Sequence, residues 1–214
     1  MDPVYLRLSE PSGKLPVGAS RFFGNPDLPA GCAYPSYTDD DGDEYPYFFV
    51  CQINMEEIAP YDPGGFLPRT GLLSFFAKID HYLGYYAATD CIGGTISGRD
   101  AVRVMYFPTC DSLEEAVLTD GNGNPSLPGE LRIDFSLRPG AQDEHAVFAP
   151  PSHRPWETWD HPFEDRMILL QVDSCRGKDF DLNFMDVGVL DFLISPSALA
   201  RHDFDDVRAI VLSS

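Results

Sequence analysis

The feature that most constrains this chain is an apolar phrase that it carries twice. Phe49-Val50-Cys51-Gln52-Ile53-Asn54 ends in Gln and a polar residue, and after a loop Gly71-Leu72-Leu73-Ser74-Phe75-Phe76 opens on glycine and runs apolar again. Further along, Leu169-Leu170-Gln171-Val172-Asp173-Ser174 is followed by Gly188-Val189-Leu190-Asp191-Phe192-Leu193. Short apolar runs bounded by turn residues read as buried strands. Two such pairs predict a core that is built twice. The pattern describes architecture and contains no obvious chemistry.

The remaining segments agree with a strand-rich chain. Val4–Leu8, Tyr47–Ile53, Leu72–Ile79, Ala101–Phe107, Leu131–Leu137 and Val207–Leu212 read as strands, several with clean alternation. Pro26, Pro29 and Pro35 exclude a helix over 20–35 and favour an extended segment. Glu56-Glu57-Ile58 reads as the start of a loop. Asp111-Ser112-Leu113-Glu114 matches a capping box and predicts a short helix through Val117. Ser195-Pro196 predicts a second, with Ser195 as N-cap and proline at N1. The stretch 139–165 is rich in Pro, His and Trp, has no clear period, and reads as a loop covering the core.

The expected fold class is therefore α+β: a mostly antiparallel β-sheet with a few short helices, in two structurally related halves sharing one core. With 214 residues the chain reads as a single domain 1–214, half one at about 20–110 and half two at about 125–214.

Charge narrows the partners. The 34 acidic and 15 basic residues leave a formal net charge of −19, which repels phosphates and anionic lipid heads. The chain is not expected to bind nucleic acid or membrane; a partner with a basic face suits it, through long-range steering. No apolar run reaches the length of a membrane span, and no signal peptide is visible, so a cytoplasmic location is expected. Cys32, Cys51, Cys91, Cys110 and Cys175 are odd in number and lack any C-x-x-C pair, which fits reduced structural thiols.

Candidate sites are few. Gln52 and Gln171 hold equivalent places at the ends of the paired strands. A buried Gln there needs partners for its amide, and the backbone of the crossing proline segment can supply them. The functional alternative is a binding groove between the halves, formed by Gln52, Asn54, Gln171, Asp173, Trp156 and Trp159. His145, His153 and His161 recur at intervals of eight residues, as weak metal-ligand candidates without any tight His pair. The acidic turns at Asp39–Asp43 and Asp120–Asn124 fail the register of a dedicated calcium loop, with Glu44 and Pro125 where its glycine belongs. Cys110 precedes the expected helix, whose N-terminus would favour a thiolate. No nucleophile elbow, phosphate loop or dinucleotide fingerprint is present. No cofactor is expected.

An ordered set of motifs then points to a family. Phe23-Gly24-Asn25-Pro26-Asp27-Leu28-Pro29 with Tyr34-Pro35 matches a Gly-Gly-x-Pro-x-Leu-Pro segment ending in Trp-Pro, and Gln52-Ile53-Asn54 a Gln-Ile-Asn strand. Leu67-Pro68, Gly71, Leu73, Phe75 and Phe76 match the strand that follows. Leu169 to Ser174 matches Leu-Leu-Gln-Ile-Asp-Ser, and Phe184-Met185-Asp186-Val187-Gly188 a Trp-Gly-Asp-x-Gly segment. In these residues the chain resembles the YwqG-like proteins, a bacterial family of unknown function. It departs from the pattern where Phe23 and Met185 replace glycine and where Tyr34 and Phe184 replace tryptophan; the region Gly84 to Phe163 shows little that aligns. The resemblance implies an α+β fold with two related halves and no established activity, and it suggests an association with bacterial toxin neighbourhoods.

The leading functional expectation is a non-catalytic interaction protein, with an immunity-type inhibitor of a basic toxin as its specific form. The alternative is a small-ligand or metal-dependent enzyme with its site between the halves.

Overall fold

Uninterrupted apolar runs of six or seven residues have no polar face to give to water, so they form strands covered on both sides. In the computed structural model, which describes residues 1–84, 91–140, 144–152 and 161–213, such runs supply the inner strands of one large sheet. The chain forms β1 (Val4–Ser9), β2 (Arg21–Phe22), β3 (Asp27–Pro29), β4 (Ser36–Thr38), β5 (Glu44–Pro46), β6 (Phe48–Asn54), α1 (Met55–Ile58), β7 (Leu72–Ala77) and β8 (Val102–Phe107). It continues with β9 (Leu113–Glu115), β10 (Leu131–Ser136), β11 (Ala146–Val147), β12 (Met167–Asp173), β13 (Cys175–Arg176), β14 (Asp181–Leu182), β15 (Val189–Ile194), α2 (Pro196–Ala200) and β16 (Arg208–Leu212).

Ten strands make the sheet, in the order β16-β15-β12-β11-β1-β10-β2-β6-β7-β8, with every pairing antiparallel. Three small hairpin-like pairs, β3-β9, β4-β5 and β13-β14, lie outside it. The sheet folds back on itself. Phe75 of β7 and Phe192 of β15 stand seven strand steps apart, about 34 Å on a flat sheet, yet their rings are 5.2 Å apart at 71°. The main core fills the concave side, and a smaller cluster of Ala146, Ile168, Val189, Leu193, Ile210 and Leu212 lies on the other face, packed by Tyr5, Ile96 and Phe163.

The two repeated phrases fold with matching backbone detail. The β6–β7 register shifts between Phe49 and Cys51, and the β12–β15 register shifts between Ile168 and Leu170. Each bulge frees a carbonyl that accepts from a phenylalanine N–H: Phe23 N to Val50 O at 2.9 Å and Phe148 N to Leu169 O at 3.2 Å. Both phenylalanines sit at φ 57°, a conformation rare for a bulky residue. The glycines opening the second strands are sterically required. A Cβ on Gly71 would lie 2.1 Å from Phe107 O, and one on Gly188 would lie 2.1 Å from Leu212 O.

Three local expectations are corrected. The residues 113–115 form β9, paired with β3, and no helix follows Asp111. Four residues of capping pattern without an apolar helical face behind them do not outweigh a ladder and the anchoring of Glu115 by Lys14 and Asn25. Residues 55–58 form α1 where a loop was expected, because Asn54 caps it, its Oδ1 accepting from Glu56 N at 2.8 Å. Ala146–Val147, inside the expected covering loop, is β11 and lies within the sheet between β1 and β12. At the sheet centre, β1 pairs with both β10 and β11 and so joins the β11-β12-β15-β16 side to the β10-β2-β6-β7-β8 side.

Candidate functional site

Polar groups gather among the described residues at two corners of the sheet, at Asp206 with Arg99, Arg166 and Arg208, and along one open groove. The first corner lies where the proline segment crosses β6. Gln52, fully buried, donates from Nε2 to Ala19 O at 2.9 Å and Asp27 Oδ2 at 2.6 Å, and its Oε1 accepts from Asp27 N at 2.9 Å. Arg21, also buried, donates to Asp27 Oδ2 at 3.0 Å, Pro16 O at 2.8 Å and Glu130 Oε2 at 3.1 Å. Gly18 N completes the set on Asp27 Oδ2 at 2.8 Å. A guanidinium removed from water is tolerable here because two carboxylates and backbone oxygens meet it. Arg21 Nε and Asp27 Oδ1 are the atoms of this corner that are buried without a hydrogen-bond partner.

The second corner occupies the corresponding place on β12. Gln171 Nε2 donates to Glu144 O at 3.0 Å, and His145 Nδ1 accepts from Asp173 N at 3.0 Å. Asp173 Oδ2 in turn accepts from Glu144 N at 3.0 Å. Cation and carboxylate pairs are replaced here by neutral groups. Burial pushes the His145 imidazole down to about 4 and lifts the Asp191 carboxyl from 3.8 to about 8. Asp191 is the cross-strand neighbour of Gln171 on one side and Ile210 on the other. Asp191 Oδ1, Gln171 Oε1 and His145 Nε2 are buried without a hydrogen-bond partner.

The groove, of about 830 Å3, runs along β8 from Val102 to Phe107. Its other walls are 33–36, including Tyr34, and 201–207, including Arg201, Asp203 and Phe204. Tyr106 and Phe204 rings approach to 6.0 Å across it. Tyr34 Oη donates to Tyr47 O at 3.0 Å, and its burial pushes the phenol pKa well up.

A family model described as a domain of unknown function, DUF1963, matches residues 20–163 and 140–211. The chain belongs to this family. No curated protein matches it. The DUF1963 matches cover both polar corners and both strand pairs of the repeated phrase, so the corners belong to the body of the domain.

In this DUF1963 chain the sequence-predicted groove residues divide between the corners. Gln52 and Asn54 share the first; Asn54 N donates to Ser20 Oγ at 2.8 Å and its Nδ2 to Gly18 O at 2.7 Å. Gln171 and Asp173 share the second, five strand steps away along the sheet. Trp156, Trp159 and His153 lie outside the described residues. His145 is buried against the Phe22 ring at 5.2 Å, whereas His161 is exposed, with Nδ1 3.9 Å from Glu164 Oε1. Among the described residues no group of His, Cys, Asp and Glu is arranged to hold a metal ion.

The two acidic turns use their own carboxylates. Asp39 Oδ1 accepts from Asp41 N and Asp43 N, and Asp120 Oδ1 from Asn122 N and Asn124 N. The Cys110 thiolate is corrected: with no helix behind it, partial burial and the nearby Glu56, Asp27, Asp111 and Glu57 carboxylates push its pKa up. Sequence reasoning missed the Arg21–Asp27–Glu130 set and the groove. The alternation of 102–107 was the available signal for the groove wall, but it does not say that the strand is an edge.

Proposed function

We propose that this protein is a non-catalytic, cytoplasmic interaction protein whose partner presents a basic face. The observation that carries the reading is the open groove along β8 on a chain with a formal net charge of −19. A surface of that charge raises the encounter rate with a cationic protein and repels nucleic acid and anionic lipid. The Gln52 amide, bonded at both ends to the crossing segment, supports a scaffold role for that residue. Cysteines that are odd in number and lack any C-x-x-C pair are compatible with a reducing compartment. An immunity-type inhibitor of a basic toxin is the specific form of this reading.

The matched bulges, the two phenylalanines at φ 57° and the two crowded glycines support a further architectural reading, that the sheet arose from an internal duplication. The functional test is co-purification from the native host at low salt, followed by reconstitution with the recovered protein. A stoichiometric complex with a basic protein, weakening as salt rises, is expected. Recovery of no basic partner, or a complex insensitive to salt, overturns the reading.

A further inference from the structure

The two ends of the sheet are treated differently. At one end, the chain's own segment 93–97 lies along β16: Ser97 N donates to Ala209 O at 2.8 Å, Ala209 N to Ser97 Oγ at 2.9 Å, and Val211 N to Gly93 O at 2.9 Å. A bent stretch of this protein thus already covers one edge through backbone bonds. At the other end, among the described residues, β8 pairs with β7 alone. Lys78 N donates to Ala101 O, which fixes the alternation of the β7–β8 ladder. Arg103, Met105 and Phe107 then bond to β7, and the N–H and C=O groups of Val102, Val104 and Tyr106 point outward along the groove. The segment 201–207, which precedes β16 as 93–101 precedes β8, faces this edge. Among the described residues no backbone hydrogen bond joins it to β8; it meets the strand through Phe204 and Tyr106.

Resting on the reading of this face as a protein-binding site, we propose that the outer edge of β8 takes up an extended segment of a basic partner protein as an additional strand of the sheet. The main chain of the segment supplies affinity by bonding to Val102, Val104 and Tyr106, and alternate side chains enter the groove between Tyr34, Tyr106 and Phe204. A strand matched to the six residues of β8 is about 20 Å long.

Charge selects the occupant. A second copy would bring a second chain of net charge −19 against the first, which long-range repulsion disfavours. A cationic segment meets the opposite situation. The β4–β5 hairpin, which leaves the groove wall at Ser36, carries Asp39, Asp40, Asp41, Asp43 and Glu44, and the facing wall adds Asp205 beyond the Arg201–Asp203 pair. Of the two groove arginines, Arg201 is already paired with Asp203 at 3.4 Å.

The test is selection of a phage-displayed random peptide library on the whole protein at low salt. Enriched peptides are expected to alternate apolar and polar residues, to carry net positive charge, and to bind more weakly as salt rises. Each is then synthesised in two forms, N-methylated on one or the other set of alternate residues. Strand addition predicts that one form loses binding by about tenfold or more while the other keeps it, since only one set faces β8. Val104→Pro removes an outward N–H without touching the β7 ladder and should weaken binding comparably. The two methylated forms report on the mode even if that variant does not fold. Equal effects of the two forms, no enriched peptide, or a wild-type dimer that Val104→Pro dissociates each overturn the proposal. A basic partner that binds normally while the methylation patterns fail to differ leaves the functional reading standing and removes only strand addition.

Discussion

Replacing Asp191 by Asn should make this protein more stable at neutral pH, by an amount that grows as pH rises. Asp191 is 1% exposed and flanked across the sheet by Gln171 and Ile210; Arg208, further along β16 opposite Leu193, is paired with Asp206 at 3.0 Å. Burial therefore lifts its carboxyl from 3.8 to about 8. Between those values the folded state holds a proton that the unfolded chain releases, so stability falls as pH rises, by about 1.4 kcal/mol per unit. Integrated to pH 7, the loss is roughly 4 kcal/mol. His145 runs the other way. Its imidazole is held down to about 4 from 6.5, so the unfolded chain binds the extra proton and stability rises with pH over that interval. His81, partly buried and also lowered, adds to the same rise. Wild type should thus be nearly flat between about pH 4 and 6.5 and lose roughly 2 kcal/mol between 6.5 and 8. Asp191→Asn keeps the shape and removes the titration. The assay is urea unfolding of both proteins from pH 4 to 9. Near pH 4 they should agree within about 1 kcal/mol, and the variant should lead by roughly 4 at pH 7. General repulsion from the −19 charge weakens both nearly alike and cancels in the difference. A difference that does not change with pH would refute the reasoning.

At the first corner, Asp27→Ala leaves Arg21 buried without its closest carboxylate and should cost about 3–5 kcal/mol in a denaturant melt. Gly188→Ala forces a Cβ to within 2.1 Å of Leu212 O and should cost about 2–4 kcal/mol, with hydrogen exchange rising along β15 and β16. Met185→Gly should gain about 0.5–1 kcal/mol in thermal unfolding, because Met185 sits at φ 52° and is 38% exposed, so little packing is lost.

The strands that sequence reading found were those whose own residues decide the matter. β6, β7, β12 and β15 are apolar runs ending at Asn, Gly or Ser, and β8 and β10 alternate along their first residues. The α2 cap was legible for the same reason: Ser195 Oγ accepts from Ala198 N at 3.2 Å, a bond between near neighbours in sequence. The elements that were missed depend on distant partners. β9 is three residues long and is held by β3, some 85 residues earlier. β11 has two residues and exists because β1 and β12 lie on either side. Of the candidate residues, Gln52 was legible as an amide needing partners, and it bonds to Ala19 O, Asp27 N and Asp27 Oδ2. Its link to Arg21 was not readable, because an arginine between serine and phenylalanine carries no sign that it is buried.

The substitutions that set this chain apart from the glycines of its family resemblance have a common physical reading. Phe23 and Met185 both occupy positive φ, at 57° and 52°, where glycine costs nothing and a larger residue costs about 1–2 kcal/mol. At Phe23 the cost is offset by packing: the side chain is fully buried and meets Phe22, Phe48 and Phe180 at 4.4–5.4 Å. Phe148 adopts the same φ at the matching bulge and is also buried, so the kinked phenylalanine is a working part of both corners. Met185 has no such compensation. Strain that packing repays belongs to the scaffold; strain at an exposed residue is the kind that a binding surface retains. Met185 lies with exposed Val187 in the turn before β15, away from the residues that line the β8 groove. Met185→Gly should therefore raise stability without changing peptide capture at β8, whereas Val104→Pro should do the reverse.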